Sequence, residues 1–250
     1  MRKQRLDQLL VERGLAESRS RAQALIMAGQ VFSSERRLDK PGLAVADDIA
    51  LELRDPLPYV SRGGVKLAHA LDHFSIDPCG KGALDIGAST GGFTDVLLQR
   101  GAARVYAVDV GHGQLDWRLR QEPRVMVLER TNARHLSSKE VPEPVDLVVC
   151  DVSFISLKLA LPAPLALTKE QAWLIALIKP QFEVGKGQVG KGGVVRDPAL
   201  HQAVCEDIAN WLREEMGWSV IGVVESPITG PKGNREFLIA ARRTDGGSAV

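Results

Sequence analysis

The sequence predicts an α/β fold class, in which a sheet flanked by helices follows a small basic module. Ala83 to Phe93 has the pattern of a buried strand that leads through a glycine-rich turn into a helix, as at the start of a parallel sheet. Six further strand-like runs follow, separated by helical or turn-rich segments. A length of 250 residues leaves room for one such domain and a small second one.

Charge is distributed unevenly along the chain. The whole sequence carries 32 Lys and Arg against 31 Asp and Glu, so its net charge of +1 favours no class of partner. Basic residues nevertheless exceed acidic ones within residues 1–40, as expected of a surface that binds a polyanion. A solvated basic face that binds nothing would have the same composition.

Cysteine usage and hydropathy favour a cytoplasmic protein. Cys79, Cys150 and Cys205 are scattered and odd in number, which suits a reducing compartment rather than a disulfide framework. The basic N-terminus is not followed by the apolar segment of a signal peptide, and no run approaches the ~20 apolar residues that span a bilayer. We therefore expect no membrane partner.

Residues 1–56 are predicted to form a small domain of two helices and a few short strands. An i, i+3, i+4 set of leucines that begins at Leu6 predicts the first helix, and Ser18 has the position of an N-cap for the second. Short strands are expected around Phe32 and Leu51.

Two prolines stiffen residues 54–59, which predicts a linker there. A second domain is then expected over residues 57–243. The Gly- and Ser-containing residues 244–250 are expected to form a disordered tail.

The first domain shares a set of residues with a known RNA-binding domain, namely Arg5-Leu6-Asp7, Gly14-Leu15-Ala16, Ser18-Arg19-Ser20-Arg21-Ala22, Leu25-Ile26, Gly29-Gln30-Val31, Gly42 and Asp48-Ile49. On these residues it resembles the α-L RNA-binding domain of pseudouridine synthases and tyrosyl-tRNA synthetases. The resemblance implies that the loop before the second helix meets an RNA backbone. The candidate RNA-binding residues are Arg5, Arg13, Ser18, Arg19, Ser20, Arg21 and, in the second domain, Arg62. A domain that docks onto another protein remains the alternative.

The glycine-rich turn has the spacing Asp-x-Gly-x-x-x-Gly-Gly, which differs from the dinucleotide fingerprint G-x-G-x-x-G. Such a turn lets the backbone approach a ligand and aims helix N–H groups at it. Asp85 favours S-adenosylmethionine (SAM), because an acid at this strand end can meet the positively charged methionine end of that cofactor. The next strand closes with Asp109, where a carboxylate binds ribose hydroxyls, and Asn132 is either an adenine contact or a turn residue. The candidate cofactor-binding residues are Asp85, Gly87, Ser89, Thr90, Gly91, Gly92, Phe93, Asp109, Asn132 and Asp151.

Other ligand classes fit the motifs less well. Gly185 to Lys191 spells G-x-x-x-x-G-K, but the next residue is not the Ser or Thr of a P-loop. We therefore expect the loop Glu183 to Gly193 to be a mobile flap on the substrate side. Asp151-Val152-Ser153-Phe154 carries neither the Asn/Asp-Pro-Pro-aromatic motif of base amino-methyltransferases nor the Pro-Cys of cytosine C5 enzymes. His69 and His73 have a metal-binding spacing without a third ligand nearby, so no metal is expected.

Four charged residues are predicted to meet at one edge of the sheet. Rossmann-like methyltransferases arrange seven strands in the order 3-2-1-4-5-7-6 with the last strand antiparallel, and we adopt that order here. Asp151 and Lys179 then end neighbouring strands, and Glu236, near the start of the last strand, lies at the same edge. Lys66 lies upstream of the first strand and can join them. Lys179 closes an apolar strand, so a carboxylate should lie beside it.

This set, Lys66-Asp151-Lys179-Glu236 around the glycine turn, resembles the FtsJ-like ribose 2′-O-methyltransferases. With the α-L module and the motifs Tyr59 to Leu67, Asp151 to Ser156 and Lys179 to Glu183, the chain is similar to the TlyA family, whose members sometimes carry the name haemolysin. The resemblance implies SAM-dependent methylation of a cytidine 2′-hydroxyl in ribosomal RNA, in the large subunit alone or in both subunits.

For the chemistry, we expect Lys179 to take the proton of the ribose hydroxyl or to stabilise the alkoxide. Lys66, Asp151 and Glu236 complete the candidate catalytic set, and no metal is needed. Three other functions remain open on sequence alone: a catalytically silent SAM- and RNA-binding ribosome-assembly factor, a pore-forming haemolysin, and a methyltransferase for a small hydroxylated substrate.

Overall fold

The computed structural model describes residues 3–34, 36–53, 58–185 and 187–243. The chain divides between Pro58 and Tyr59 into two compact units. Residues 54–57 of the expected linker and the expected tail 244–250 lie outside the described residues. The boundaries of the two domains therefore stay predictions.

Within its described residues, the first unit contains two helices and five short strands. They are β1 Lys3–Arg5, α1 Leu6–Glu12, α2 Arg19–Met27, β2 Val31–Ser33, β3 Arg36–Arg37, β4 Ala44–Ala46 and β5 Glu52–Leu53. β1 pairs with β4, and β2 lies between β3 and β5, all antiparallel. As predicted, Leu6 and its partners on α1 are buried, and Ser18 caps α2 by accepting a hydrogen bond from Arg21 N. The pair β1–β4 is not visible in the sequence pattern, because its strands are only three residues long.

A seven-stranded sheet forms the centre of the second unit. Its strands are β6 Gly82–Ile86, β7 Arg104–Val108, β8 Val125–Leu128, β9 Val145–Cys150, β10 Thr168–Ile178, β11 Trp218–Glu225 and β12 Phe237–Arg243. They lie in the order β8-β7-β6-β9-β10-β12-β11, and β12 is antiparallel to both of its neighbours. The other pairs are parallel. This confirms the predicted order 3-2-1-4-5-7-6.

Helices cover both faces of this sheet. They are α3 Gly63–His73, α4 Gly92–Gln99, α5 Trp117–Gln121, α6 Leu157–Ala160, α7 Pro162–Ala166, α8 Pro180–Glu183 and α9 Pro198–Glu214, with short 3-10 turns at Ala133–His135 and Pro231–Gly233. Alternate residues of a strand point to opposite faces. Leu84 accordingly packs with residues of α6, α7 and α9, whereas Ala83 packs with residues of α3 and α4. The apolar residues of the strands are thus buried under helices on both faces, and the polar residues that follow the parallel strands lie at the carboxyl edge of the sheet.

β10 is longer than the sequence predicts. The apolar run Trp173 to Ile178 predicts a strand that starts at Trp173. The strand instead begins at Thr168, because it pairs with β9 on both sides of an irregularity. Within that irregularity Gln171 has a φ of +63°. The part predicted from the apolar run, which ends at Ile178, is regular.

The run Asn234 to Ala240 predicts the last strand, but β12 begins later, at Phe237. The side chain of Asn234 instead accepts a hydrogen bond from Val195 N (3.1 Å) and donates one to Gly193 O (3.0 Å). This segment thus bonds to the end of the predicted flap and stays out of the sheet. Glu236 lies directly before β12, which still places it at the edge that was predicted.

Two glycines of the turn after β6 allow close packing within the protein. A Cβ at Gly87 would lie 2.7 Å from Asp151 O, at the end of β9. A Cβ at Gly92 would lie 2.3 Å from Ser61 Oγ and 2.8 Å from Gly64 N, at the start of α3. Both distances are too short for a carbon atom, so these glycines are required by the fold itself.

We expect Gly92→Ala to lower the free energy of unfolding by about 1–3 kcal/mol, because an extra methyl group in a packed site forces the backbone to shift. The Ser61 hydroxyl can rotate away, but Gly64 N belongs to the backbone of α3. Gly187→Ala is the control, since a Cβ at Gly187 would meet nothing within 4 Å. Urea unfolding measures both variants, and equal stability would contradict the packing argument.

Candidate functional site

The four charged residues predicted to meet lie together at the carboxyl edge of the parallel strands. Lys179 Nζ is 2.6 Å from Asp151 Oδ1. Lys66 Nζ is 2.6 Å from Glu236 Oε2 and 4.0 Å from Asp151 Oδ2. Asp151 thus lies between two lysines, and the four side chains form a row of alternating charge, which we call the rim.

The rim is buried enough for its electrostatics to matter. The side chains of Lys66 and Lys179 are each 10% exposed, Asp151 is 20% exposed and Glu236 is fully buried. A buried charge is tolerated only when it is paired, and here two cations face two carboxylates. Loss of one member would therefore leave another charge without its partner.

Sequence reasoning missed Ser153 and Phe154, which belong to the same loop. Ser153 Oγ accepts a hydrogen bond of 2.9 Å from Lys179 Nζ. Phe154 is 90% exposed and has a φ of +66°, a conformation that is costly for a bulky side chain. Its ring centroid lies 5.0 Å from that of Phe182. The aromatic residue three positions after Asp151 is the signal in the sequence that points to this loop.

Glu183 joins the loops that follow β9 and β10. Its carboxylate accepts hydrogen bonds from Ser156 Oγ (2.6 Å) and Leu157 N (2.9 Å), at the start of α6. Burial raises the pKa of Glu183 above its usual range. The loop that carries Asp151 is therefore tied to the loop that carries Lys179.

Asp85, at the end of β6, is a fully buried carboxylate. Thr94 Oγ1 donates a hydrogen bond of 2.7 Å to Oδ2, while Oδ1 has no hydrogen-bond partner among the described residues. Burial raises the pKa of Asp85 to about 7. A cationic group of a ligand would supply what this carboxylate lacks.

The other candidate cofactor residues fall into two groups. Ser89 and Thr90 are exposed at the turn, whereas the side chain of Phe93 is 3% exposed and packs in the core. Gly91 is the left-handed N-cap of α4, with a φ of +96°. Their roles toward a cofactor stay predictions.

Asp109 organises the loop after β7. Its Oδ2 accepts a hydrogen bond from Ser89 N (2.8 Å) and its Oδ1 one from Gly111 N (2.6 Å). A carboxylate has further lone pairs, so both bonds are compatible with a hydroxyl ligand. Asn132 is exposed and caps a 3-10 turn by accepting from Arg134 N, which is the turn role that the sequence had left open.

In the first unit, a buried carboxylate holds two of the candidate RNA-binding arginines. Arg5 donates two hydrogen bonds to Asp7, and Arg19 Nε donates a third. The Arg5 guanidinium holds the pKa of Asp7 well below its usual range. Arg13 instead donates to the backbone carbonyls of Ile49 and Asp47.

The remaining candidates for RNA binding are also at the surface. Arg21 and Ser20 are exposed, and Ser20 Oγ lies 3.0 Å from Ser18 Oγ. In the second unit, Arg62 is exposed just before α3. Contact with RNA stays a prediction for all of them.

The described ranges include the pair of histidines whose spacing suits a metal. His69 and His73 lie one above the other on α3 with ring centroids 5.9 Å apart. No group of three metal-ligating side chains occurs in that part of the chain. Nor does it contain a helix whose length and hydropathy would let it cross a bilayer.

Comparison with known proteins identifies relatives of both units. The model of the FtsJ-like methyltransferase family matches residues 59–243, and the S4 domain model matches residues 4–47. The 16S/23S rRNA (cytidine-2′-O)-methyltransferase TlyA of Mycobacterium tuberculosis is 51% identical over 96% of this chain and 90% of its own length. The 23S rRNA (cytidine-2′-O)-methyltransferase TlyA of Campylobacter jejuni is 36% identical over 80% of this chain and 77% of its own.

A solved structure from Streptococcus thermophilus, which bears the provisional name hemolysin, is 44% identical and covers 98% of this chain and 90% of that chain. Its TM-score is 0.76. The similarity to the Mycobacterium tuberculosis and Streptococcus thermophilus proteins therefore extends over both units.

The raised pKa of Asp85 predicts how stability depends on pH. The folded state holds this proton more tightly than the unfolded state, so the stabilisation is fully present below about pH 4 and is lost as the pH rises to about 7. We expect the unfolding free energy of Asp85→Asn, relative to the parent, to increase by about 2–3 kcal/mol between pH 5 and pH 8.

Urea unfolding at several pH values measures this difference. Asp207→Asn is the control, because 63% of that side chain is exposed. A difference for Asp85→Asn that stays constant with pH would show that the carboxyl group ionises as it does in the unfolded chain.

Proposed function

The chain belongs to the FtsJ-like methyltransferase family, and we propose that it transfers a methyl group from SAM to the ribose 2′-hydroxyl of a cytidine in ribosomal RNA. The observation that carries this proposal is the rim, in which Lys179 and Asp151 lie 2.6 Å apart at the edge where the glycine turn also ends. The relatives that are 51% and 36% identical are named rRNA (cytidine-2′-O)-methyltransferases, which supports the same substrate class.

The turn after β6 suits SAM as the cofactor. Asp85 would face its cationic methionine end, Asp109 its ribose hydroxyls and Asn132 its adenine. Asp85 has a buried oxygen without a hydrogen-bond partner among the described residues, which fits a cation and would repel a phosphate. When bound, SAM supplies the methyl group: the new O–C bond forms as the C–S bond breaks, and sulfur keeps the electron pair.

The rim supplies the base. A ribose hydroxyl is a weak nucleophile, and Lys179 would accept its proton at Nζ as the oxygen attacks. The ammonium that forms is stabilised at once by the Asp151 carboxylate. While Lys179 is neutral, Lys66 offsets one of the two negative charges of Asp151 and Glu236, and the proton that Lys179 accepts offsets the other.

The substrate class follows from the first unit and from the loop after β9. Arg5 and Arg19, which Asp7 holds in place, and the exposed Arg21 would contact the RNA backbone. Phe154 would stack on a nucleobase near the reacting ribose, since an exposed aromatic ring held in a costly backbone conformation suits this role. A small hydroxylated substrate would use neither feature.

A catalytically silent binding protein is the main rival. Binding of SAM or RNA alone would not require two lysines and two carboxylates to be buried together, whereas proton transfer uses them. A pore-forming haemolysin is not favoured by any observation here, and no helix among the described residues is long and apolar enough to cross a bilayer.

The proposal is tested by incubating the protein with methyl-labelled SAM and separated large and small ribosomal subunits. We expect label in the RNA of the large subunit, with or without the small one, and mass mapping should place it on the ribose of a cytidine. SAM binding without transfer to either subunit or to their naked RNA would support the silent binding protein instead.

Lys179→Ala should lower the rate of methyl transfer by about 10²- to 10⁴-fold, because it removes the base. SAM affinity, measured by calorimetry, should stay within about threefold of the parent. Lys169→Ala is a matched control, since Lys169 lies on β10, the strand that Lys179 follows, and its side chain is half exposed. Transfer within a few-fold of the parent by Lys179→Ala would show that another group takes the proton.

Phe154→Leu and Phe154→Ala should lower kcat/KM for RNA by about 5- to 150-fold, which corresponds to one lost stacking contact. Phe154→Tyr should keep most of the activity, since it keeps the aromatic face. Ile221→Ala, at a residue that is 50% exposed on β11, controls for the loss of exposed apolar surface. If leucine served as well as tyrosine at position 154, stacking would not be its role.

A further inference from the structure

Lys179 Nζ has two polar neighbours, and both come from the same loop. Asp151 Oδ1 lies 2.6 Å away and Ser153 Oγ lies 2.9 Å away. Among the described residues these are the only polar groups that contact Nζ. Since the lysine side chain is 10% exposed, little solvent is left to replace either neighbour.

Because an amine is tetrahedral, these two contacts limit the orientation of the Lys179 amine. An ammonium group directs three N–H bonds tetrahedrally. Ser153 Oγ accepts one of them in a hydrogen bond, and Asp151 Oδ1 lies at ion-pair distance from the same nitrogen. When Lys179 is neutral, a hydrogen bond from Nζ to Ser153 Oγ still limits rotation about the Cε–Nζ bond, so the lone pair is restricted to the directions that this bond leaves free.

We infer that Ser153 is a positioning residue for methyl transfer, which holds Lys179 so that its lone pair faces the ribose 2′-hydroxyl. This inference rests on the proposed function. During the reaction the proton leaves the 2′-oxygen for Nζ as that oxygen takes the methyl group, and Ser153 and Asp151 together stabilise the new ammonium. Ser153 therefore contributes more to the transition state than to the bound substrate.

The surroundings of Ser153 are built to keep this contact. Glu183, in the loop that follows Lys179, accepts hydrogen bonds from Ser156 and Leu157, in the loop that carries Ser153. These bonds connect the two loops and so help to keep the Ser153 hydroxyl beside the Lys179 amine. Ser153 is itself exposed, hence its hydroxyl lies on the side from which a substrate can approach. The same exposure means that replacing it should not disturb the core.

Ser153→Ala should lower the single-turnover rate of methyl transfer to ribosomal RNA by about 10- to 100-fold, as expected for the loss of a hydrogen bond to a charged group. KM for RNA and the Kd of SAM should stay within about twofold. Ser153→Thr, which keeps the hydroxyl, should recover the rate to within a few-fold of the parent. Ser137→Ala, at an exposed serine elsewhere in the same unit, controls for removal of a hydroxyl in general.

A double substitution makes the test specific for Lys179. In a Lys179→Ala background, Ser153→Ala should cause no further loss, because the amine that it orients is gone. A full additional loss would show that Ser153 acts independently and would overturn the inference. So would a raised KM with an unchanged rate, which would make Ser153 a contact for RNA, or a threonine variant as slow as the alanine one.

Failure of this inference is distinguishable from failure of the proposed function. If the parent protein transfers no methyl group to either subunit, the proposed function is wrong, and the inference falls with it. If the parent is active and Lys179→Ala is not, an active Ser153→Ala variant overturns only the role of Ser153.

Discussion

The carboxylate of Asp151 lies between two lysine ammonium groups, and the arrangement of the second unit depends on this contact. Neither lysine could be so deeply buried without a counter-charge, and a single carboxylate could not balance both. Glu236 supplies the second negative charge from the antiparallel strand that neighbours β10. The topology of the sheet is thus what makes a neutral, mostly buried row of four charges feasible.

The rim is held by packing that extends beyond its own residues. Gly87 lets the turn after β6 approach the backbone of Asp151, and Gly92 lets the same turn approach the helix that carries Lys66. Glu183 links the two loops that carry Asp151 and Lys179. A change at any of these positions would displace charged groups whose separations are 2.6 Å, although none of them belongs to the rim.

In the first unit, too, a buried carboxylate is paired with basic side chains, but here those side chains are at the surface. Asp7 is buried and accepts hydrogen bonds from Arg5, Arg19 and Gln23. Two surface cations are thereby fixed in position by one buried anion, and the group keeps a net positive charge. Arginines that are already ordered lose less conformational entropy when they bind a phosphate than flexible ones do.

The sequence by itself determined the strand-like runs, the rim residues and the N-cap at Ser18. These follow from local patterns: apolar runs, glycine spacing, capping residues and charged residues at strand ends. The order of the seven strands was adopted from Rossmann-like methyltransferases, and the structure confirms it. Only the tertiary structure decided that Glu236 precedes β12, that Asn132 caps a turn, and that Ser153 contacts Lys179. The first and the last depend on hydrogen bonds between residues distant in the chain, which no local pattern of residues records. The cap at Asn132 joins neighbouring residues, but a local pattern suits a turn and a ligand contact equally, so the fold had to decide between them.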